Sequence, residues 1–267
     1  MTAQPSEKLR LGGMALRNGL LVHGPTHWAA AVRTDGGELK VASGPKPSFG
    51  SRAVERMPGV RGLTKLAEAF AVIPLVKRTL PEARLPMEDV RTLGAMGGAT
   101  LVGRALRMGT GRAVAREAAL AGISLLPAML ALRGGDLASY HGVEHKSIAA
   151  YEQDSDDAAD ASKEHDRCGS NLVAPMLASA TAGNVALRRA GVRGPAAEAI
   201  VGLGSVAFAV EVFAWSERNS ESALARLLRR PGHEIQRVVG TREPTRDQLE
   251  VGQAALDEIL RVEAAES

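Results

Sequence analysis

Short apolar runs broken by turn formers open the chain: Gly19 to His23, His27 to Arg33 and Glu38 to Ser43, separated by Gly24-Pro25-Thr26 and by Thr34-Asp35-Gly36-Gly37. Runs of that length predict a small β-meander of three strands, with the Asp-Gly-Gly turn as its best hairpin signal. Residues 44–62, rich in Gly and Pro, read as an irregular loop. A helix is predicted from Thr64 as N-cap, with Leu66, Ala67, Phe70 and Ile73 on one face, until Pro74 bends or ends it. After a second Pro-rich break at residues 81–86, nearly everything to residue 215 has Ala/Gly/Leu helical character. The tail returns to amphipathic patterning. Ser222 to Arg230 carries Leu224, Leu227 and Leu228 and is expected to stop at Pro231-Gly232. Thr245 with Gln248 forms a capping box before a stripe of Leu249, Leu256, Ile259 and Leu260, and both helices are expected to dock on the body. The predicted fold is mainly α with a small N-terminal β-meander and a multi-helix, membrane-associated body. The divisions fall at 1–62, 63–217 and 218–267, with a central motif loop at 133–170.

Four segments of the body are weakly charged. Ala118 to Leu132 is uncharged for 15 residues and Cys168 to Leu187 for 20; Pro195 to Trp215 spans 21 but contains Glu198 and Glu211; Thr92 to Gly103 is uncharged for 12. A bilayer crossing needs about 20 mostly apolar residues, and Ala-rich segments lie near the insertion threshold. If these run as two hairpins, their connections carry Arg104, Arg107, Arg112 and Arg116 in one and Arg188, Arg189 and Arg193 in the other. With both flanking parts cytoplasmic, that arrangement opposes the positive-inside tendency. The expected location is the cytoplasmic membrane with the motif loop facing the cytoplasm, and the alternative is a soluble cytoplasmic protein. A lipid bilayer or a membrane protein is the partner this implies.

Composition refines this picture. Of 267 residues 45% are hydrophobic, yet aromatics are 3% and 45 residues are Ala, so an ordinary Leu/Phe core is not expected throughout. Basic residues exceed acidic ones by 33 to 30, 26 of them Arg; Ala, Arg and Gly enrichment together reads as a genomic bias, and no nucleic-acid partner is assigned. The opening MTAQPSEKLR has no apolar stretch, so no secretory signal is expected. Cys168 is the sole cysteine, which excludes an intramolecular disulfide and leaves a thiol.

Chemistry concentrates between residues 141 and 168, where three of six histidines and the cysteine fall. His141 and His145 are four apart, so on a helix both imidazoles project from one face and can share a metal ion, with Glu144 beside them. His-x-x-Glu-His is the order in which inverted zinc proteases place two ligands and a general base. His165-x-x-Cys168 supplies a second pair. Three donors would leave a coordination position for water, whereas four would close a structural shell. Zn²⁺ suits such an N/S set, and imidazoles also admit Fe²⁺ or Mn²⁺. Glu144 is the candidate general base, and Lys146 or Arg167 would neutralise anionic charge. The bland alternatives are histidines that only hydrogen-bond the loop and a Cys168 that packs as a small apolar residue. The acidic run Glu152, Asp154, Asp156, Asp157 and Asp160 reads as a solvated loop, without an EF-hand pattern. No P-loop, dinucleotide fingerprint or nucleophile elbow is present.

Tyr140-His141-Gly142-Val143-Glu144-His145-Lys146, His165-Asp166-Arg167-Cys168-Gly169-Ser170 and Thr241-Arg242-Glu243-Pro244 with Gln248-Leu249-Glu250-Val251 together resemble the YqhQ-like bacterial membrane proteins. Gly12-Gly13 and Pro58-Gly59-Val60-Arg61-Gly62 extend the likeness over most of the chain. The resemblance implies a membrane protein and a metal-dependent enzyme without an assigned reaction. The chain departs from the family where an acidic Glu-Gly and a Met-Met-Arg stretch follow the paired glycines: it has Asn18-Gly19-Leu20-Leu21-Val22-His23. Its Ala-rich helices are also less hydrophobic than the family's.

Overall fold

A computed structural model describes residues 8–51, 54, 56–108, 113–133, 135–155 and 157–266. Four strands, not three, form an antiparallel meander in the order β1 (Gly12–Leu16), β2 (Gly19–His23), β3 (His27–Arg33) and β4 (Leu39–Pro45). The last three match the predicted runs to within two residues. β1 escapes a propensity reading because Gly12-Gly13 disfavours a strand; its pairing with β2, from Gly12 opposite His23 to Leu16 opposite Gly19, supplies what propensity lacks. The predicted Thr34 turn is present, with the Thr34 N–H bonded to the Glu38 carbonyl at 2.9 Å and Gly37 at φ 84°. Asn18 is a tie point: its amide donates to the carbonyls of Arg33 and Glu82, both at 3.0 Å, and accepts the Arg84 N–H at 2.9 Å.

Alternation along the strands buries both faces of the sheet. Leu20, Val22, Ala29 and Ala31 pack on Tyr140 and Val143 of one helix and on Val251, Ala255, Leu256 and Ile259 of the last helix. Leu16, Leu21, Trp28, Ala30 and Val32 meet Val72, Val76, Leu80, Ala83 and Leu85. The first helix, α1 (Val60–Thr79), starts earlier than predicted and runs through Pro74. Thr64 is inside it, its hydroxyl on the Val60 carbonyl at 3.0 Å. The buried face is Glu68, Val72 and Val76, while Phe70 is 51% exposed. The expected stripe failed because Glu68, polar in sequence, turns inward to accept the backbone N–H groups of Phe49 and Gly50 at 2.9 and 3.3 Å.

The body consists of two helical hairpins, α2 (Val90–Met108) with α3 (Ala113–Arg133) and α5 (Val173–Arg189) with α6 (Pro195–Arg218), and α3 also packs on α5. At 1.5 Å per residue these helices are about 26–36 Å long. Val114–Arg133 and Pro195–Arg218 are long and apolar enough to cross a membrane, and only 6% and 11% of their most apolar stretches are buried within the chain. The run predicted from Cys168 is helical only from Val173, behind a 3₁₀ turn at Gly169–Leu172. Far from the sheet the hairpins are joined by ion pairs. Arg188 Nε bonds Glu117 Oε1 at 2.8 Å, and Arg107 pairs with Glu198.

Between the hairpins lies α4 (Leu137–Gln153), so the first half of the expected motif loop is a helix. The C-terminal pair is α7 (Ala223–Ile235) and α8 (Arg246–Ala264). Ser222 caps α7 through the Ala225 N–H at 3.0 Å. The helix passes Pro231-Gly232 instead of stopping there and ends in a π turn, Gln236–Gly240. Gly232 is required by contact, since a Cβ there would lie 2.1 Å from Asn171 Oδ1. The Thr245/Gln248 capping box is formed as predicted. Both dock on the body as expected: α7 packs on the α5–α6 hairpin, and α8 packs across the sheet and on α4.

Candidate metal centre

His141 and His145 are one turn apart on α4 and face the loop that carries Cys168. The helix sits deep because it lacks side-chain bulk where its neighbours cross. A Cβ on Gly142 would lie 2.2 Å from the Arg242 carbonyl oxygen, so only glycine lets the Thr241–Pro244 segment cross α4 this closely. The Arg242 N–H then bonds the Ala138 carbonyl at 2.9 Å.

Each histidine is oriented by a backbone carbonyl. His141 Nδ1 donates to the Gly240 carbonyl at 2.8 Å and His145 Nδ1 to the Lys163 carbonyl at 2.5 Å. A carbonyl can only accept, so Nδ1 carries a proton in each ring; Nε2 of neutral His145 is left as a donor atom for a metal, and Nε2 of His141 becomes one when a metal displaces its proton. His145 is 2% exposed, and its Nε2 is buried with no hydrogen-bond partner. Cys168 Sγ is 3.4 Å from His141 Nε2 and accepts the Ser170 N–H at 3.5 Å. The donor atoms of His141, His145 and Cys168 all lie within 4.8 Å of one another. Zinc bond lengths imply about 3.3–3.6 Å between donors of a tetrahedral shell, so the group fits with a small closure.

Burial opposes charge on His141, but its bond with Cys168, the Glu144 carboxylate and the Gly240 carbonyl outweigh burial and raise its pKa to about 9. Burial, reinforced by His141, lowers His145 to about 3. Glu144 is pushed above the usual carboxylate range by burial, against the pull of His141, His165 and the Ala15 backbone N–H. Its side chain lies over β1, where a Cβ on Gly13 would be 2.5 Å from Glu144 Cγ, so the N-terminal strand does contribute to the site.

His165 is not in the donor group. Its Nε2 is 3.2 Å from Glu152 Oε2 and its Nδ1 accepts the Arg167 N–H at 3.3 Å; burial lowers its pKa. Its ring centroid is 5.8 Å from that of His145. Arg167 pairs with the same Glu152, so this member of the acidic run belongs to the site's surroundings instead of to a solvated loop. Asp156 of that run lies outside the described residues. Lys146 points elsewhere: its ammonium bonds the carbonyls of Ala159 and Ala161, both at 2.8 Å, and Glu243 Oε1 at 2.6 Å, which occupies its three N–H groups. His165, Glu152, Arg167 and Arg10 line a cleft of about 490 Å³ together with Glu217 and Arg229. Two contributors had no local signal: the Gly240 carbonyl and Gln236, whose amide holds the loop from 71 residues away.

The molecule is thus a mainly helical protein with a His/His/Cys group able to hold a metal ion at the root of two apolar hairpins. Residues 135–262, from α4 through most of α8, match a family described as a protein of unknown function (DUF1385). No curated protein and no solved structure matches the chain.

Proposed function

We propose that this chain is a membrane-anchored, metal-dependent hydrolase of the YqhQ-like kind, with one divalent transition metal, Zn²⁺, held by His141 Nε2, His145 Nε2 and Cys168 Sγ. The observation that carries the reading is the buried, unpartnered Nε2 of His145, which shares a 4.8 Å group with two further donors while both Nδ1 atoms are fixed on carbonyls. A buried imidazole nitrogen without a partner is costly unless something binds it. Bound there, the ion would supply Lewis acidity toward a carbonyl or phosphoryl oxygen. Glu144, raised by burial, takes a proton from the attacking water and returns it to the leaving group. Arg167 stands in the cleft to meet anionic charge, and the Glu152 carboxylate holds it and His165 in place. Lys146 fixes the loop.

Two features support the anchor. The hairpin helices match the thickness of a hydrocarbon core, and large apolar side chains along them face outward, among them Leu101, Ile200 and Leu203, each at least 60% exposed. The bilayer is the partner, with the metal group on its cytoplasmic side.

Burial of His145 and Cys168 also suits a purely structural metal in a non-catalytic scaffold. Metal analysis of detergent-purified protein tests the shared premise: about one equivalent of zinc is expected, and failure to retain zinc after re-addition rejects the site. Glu144→Gln then separates the two roles. Loss of a cellular phenotype with zinc content and folding retained supports catalysis, and an unaffected phenotype leaves the scaffold.

A further inference from the structure

Resting on the membrane reading, we propose that the groove between α2 and α3 binds one anionic phospholipid, with an acyl chain along Met96, Ala99, Leu120, Ile123 and Pro127 and the phosphate on Arg104. The groove encloses about 500 Å³, inside the roughly 300–1,000 Å³ range of small-ligand sites. Its polar wall residues are already satisfied within their own helices: Thr100 Oγ1 donates to the Met96 carbonyl at 2.8 Å and Ser124 Oγ to the Ala121 carbonyl at 2.7 Å. An apolar chain therefore strands no hydrogen-bonding group.

Charge complementarity identifies the head. Two arginines stand at the end of the groove far from the sheet. Arg107 is neutralised by Glu198, whereas Arg104 is exposed and has no partner among the described residues. One unneutralised guanidinium above an apolar channel matches one phosphate above one chain. From Met96 to Arg104 the helix rises about 12 Å, so the channel takes a chain segment below the headgroup level. Outside the groove lining, Leu93, Leu101 and Val102 of the same helix are at least 50% exposed, so the second acyl chain has apolar surface to stay on among bulk lipid.

The test uses the full chain in detergent, titrated with phosphatidylglycerol or phosphatidylcholine and read by native mass spectrometry, beside vesicle flotation. One tightly held phosphatidylglycerol is expected. Arg104→Ala should weaken it about fivefold, the worth of one arginine at a lipid surface, and leave phosphatidylcholine unchanged. Ala99→Trp, which fills the channel, should release both. Flotation with equal retention of the two lipids, or an Arg104→Ala variant that binds like the parent, overturns the lipid site while sparing the membrane reading. A chain that remains soluble without detergent and does not float overturns both.

Discussion

The backbone N–H of His165 donates to Gln236 Oε1 at 2.7 Å, and the same amide, through Nε2, reaches Ser170 Oγ at 2.9 Å and the His165 carbonyl at 3.2 Å. One fully buried side chain thus grips both ends of the turn that presents Cys168. Outer partners of a metal site are worth about 10–100-fold in affinity. Gln236→Leu should lower zinc affinity by that order with helical content retained, as read by competition against a chelator. Parental affinity in this variant would show that the turn holds itself.

His145 and His165 should respond differently. His145→Ala is expected to reduce bound zinc from about one equivalent to background, because it removes one of three donors. His165→Ala should keep the metal, since its Nε2 is engaged by Glu152. Elemental analysis of both proteins decides the matter; zinc lost from His165→Ala would put that residue in the shell.

His23 gives the β-meander an acid limit. Both ring nitrogens are buried and unpartnered, and burial, aided by the Lys46 ammonium, lowers its pKa to about 4 from the usual 6.5. The unfolded chain takes up the proton near 6.5 and the folded chain only near 4. Stability is therefore complete above 6.5 and falls as pH drops toward 4, by about 3 kcal/mol. Chemical unfolding of His23→Phe across that window should show a correspondingly flatter dependence, and an unchanged slope would count against this origin.

Lys146→Met should destabilise the chain without removing metal. The substitution leaves the Ala159 and Ala161 carbonyls without their donor and Glu243 without its cation, a loss of about 1–3 kcal/mol. Thermal unfolding together with zinc content checks both halves, and depleted zinc would implicate Lys146 in the centre itself.

Much of this was written locally. The hairpin turn at Gly36-Gly37, the Thr245 cap and the one-turn spacing of His141 and His145 depend on neighbours in sequence, and all three are present. Errors arose where tertiary contacts decide. Pro74 and Pro231 look like stops, but neighbouring turns and packing carry both helices past them. β1 needs β2 before its glycines become strand. His165 and Cys168 share ligand spacing, which left open whether one or both join His141 and His145; in the fold Cys168 lies in that group while His165 faces Glu152. Lys146, adjacent to a donor, projects from another side of α4. Gln236 is one glutamine in the π turn after α7, legible only once the chain has folded back on itself.

The Glu117–Arg188 pair has a consequence for biogenesis. Glu117, 3% exposed, belongs to the first hairpin, where Arg116 Nε lies 3.9 Å away, and its closer cation, Arg188, lies 71 residues downstream in the second. While the ribosome synthesises the intervening chain, including α4 and the turn that carries Cys168, Glu117 has Arg116 beside it and Arg188 still to come. The donors are already made by the time Arg188 emerges, so closing the hairpins and completing the site belong to the same late stage of maturation.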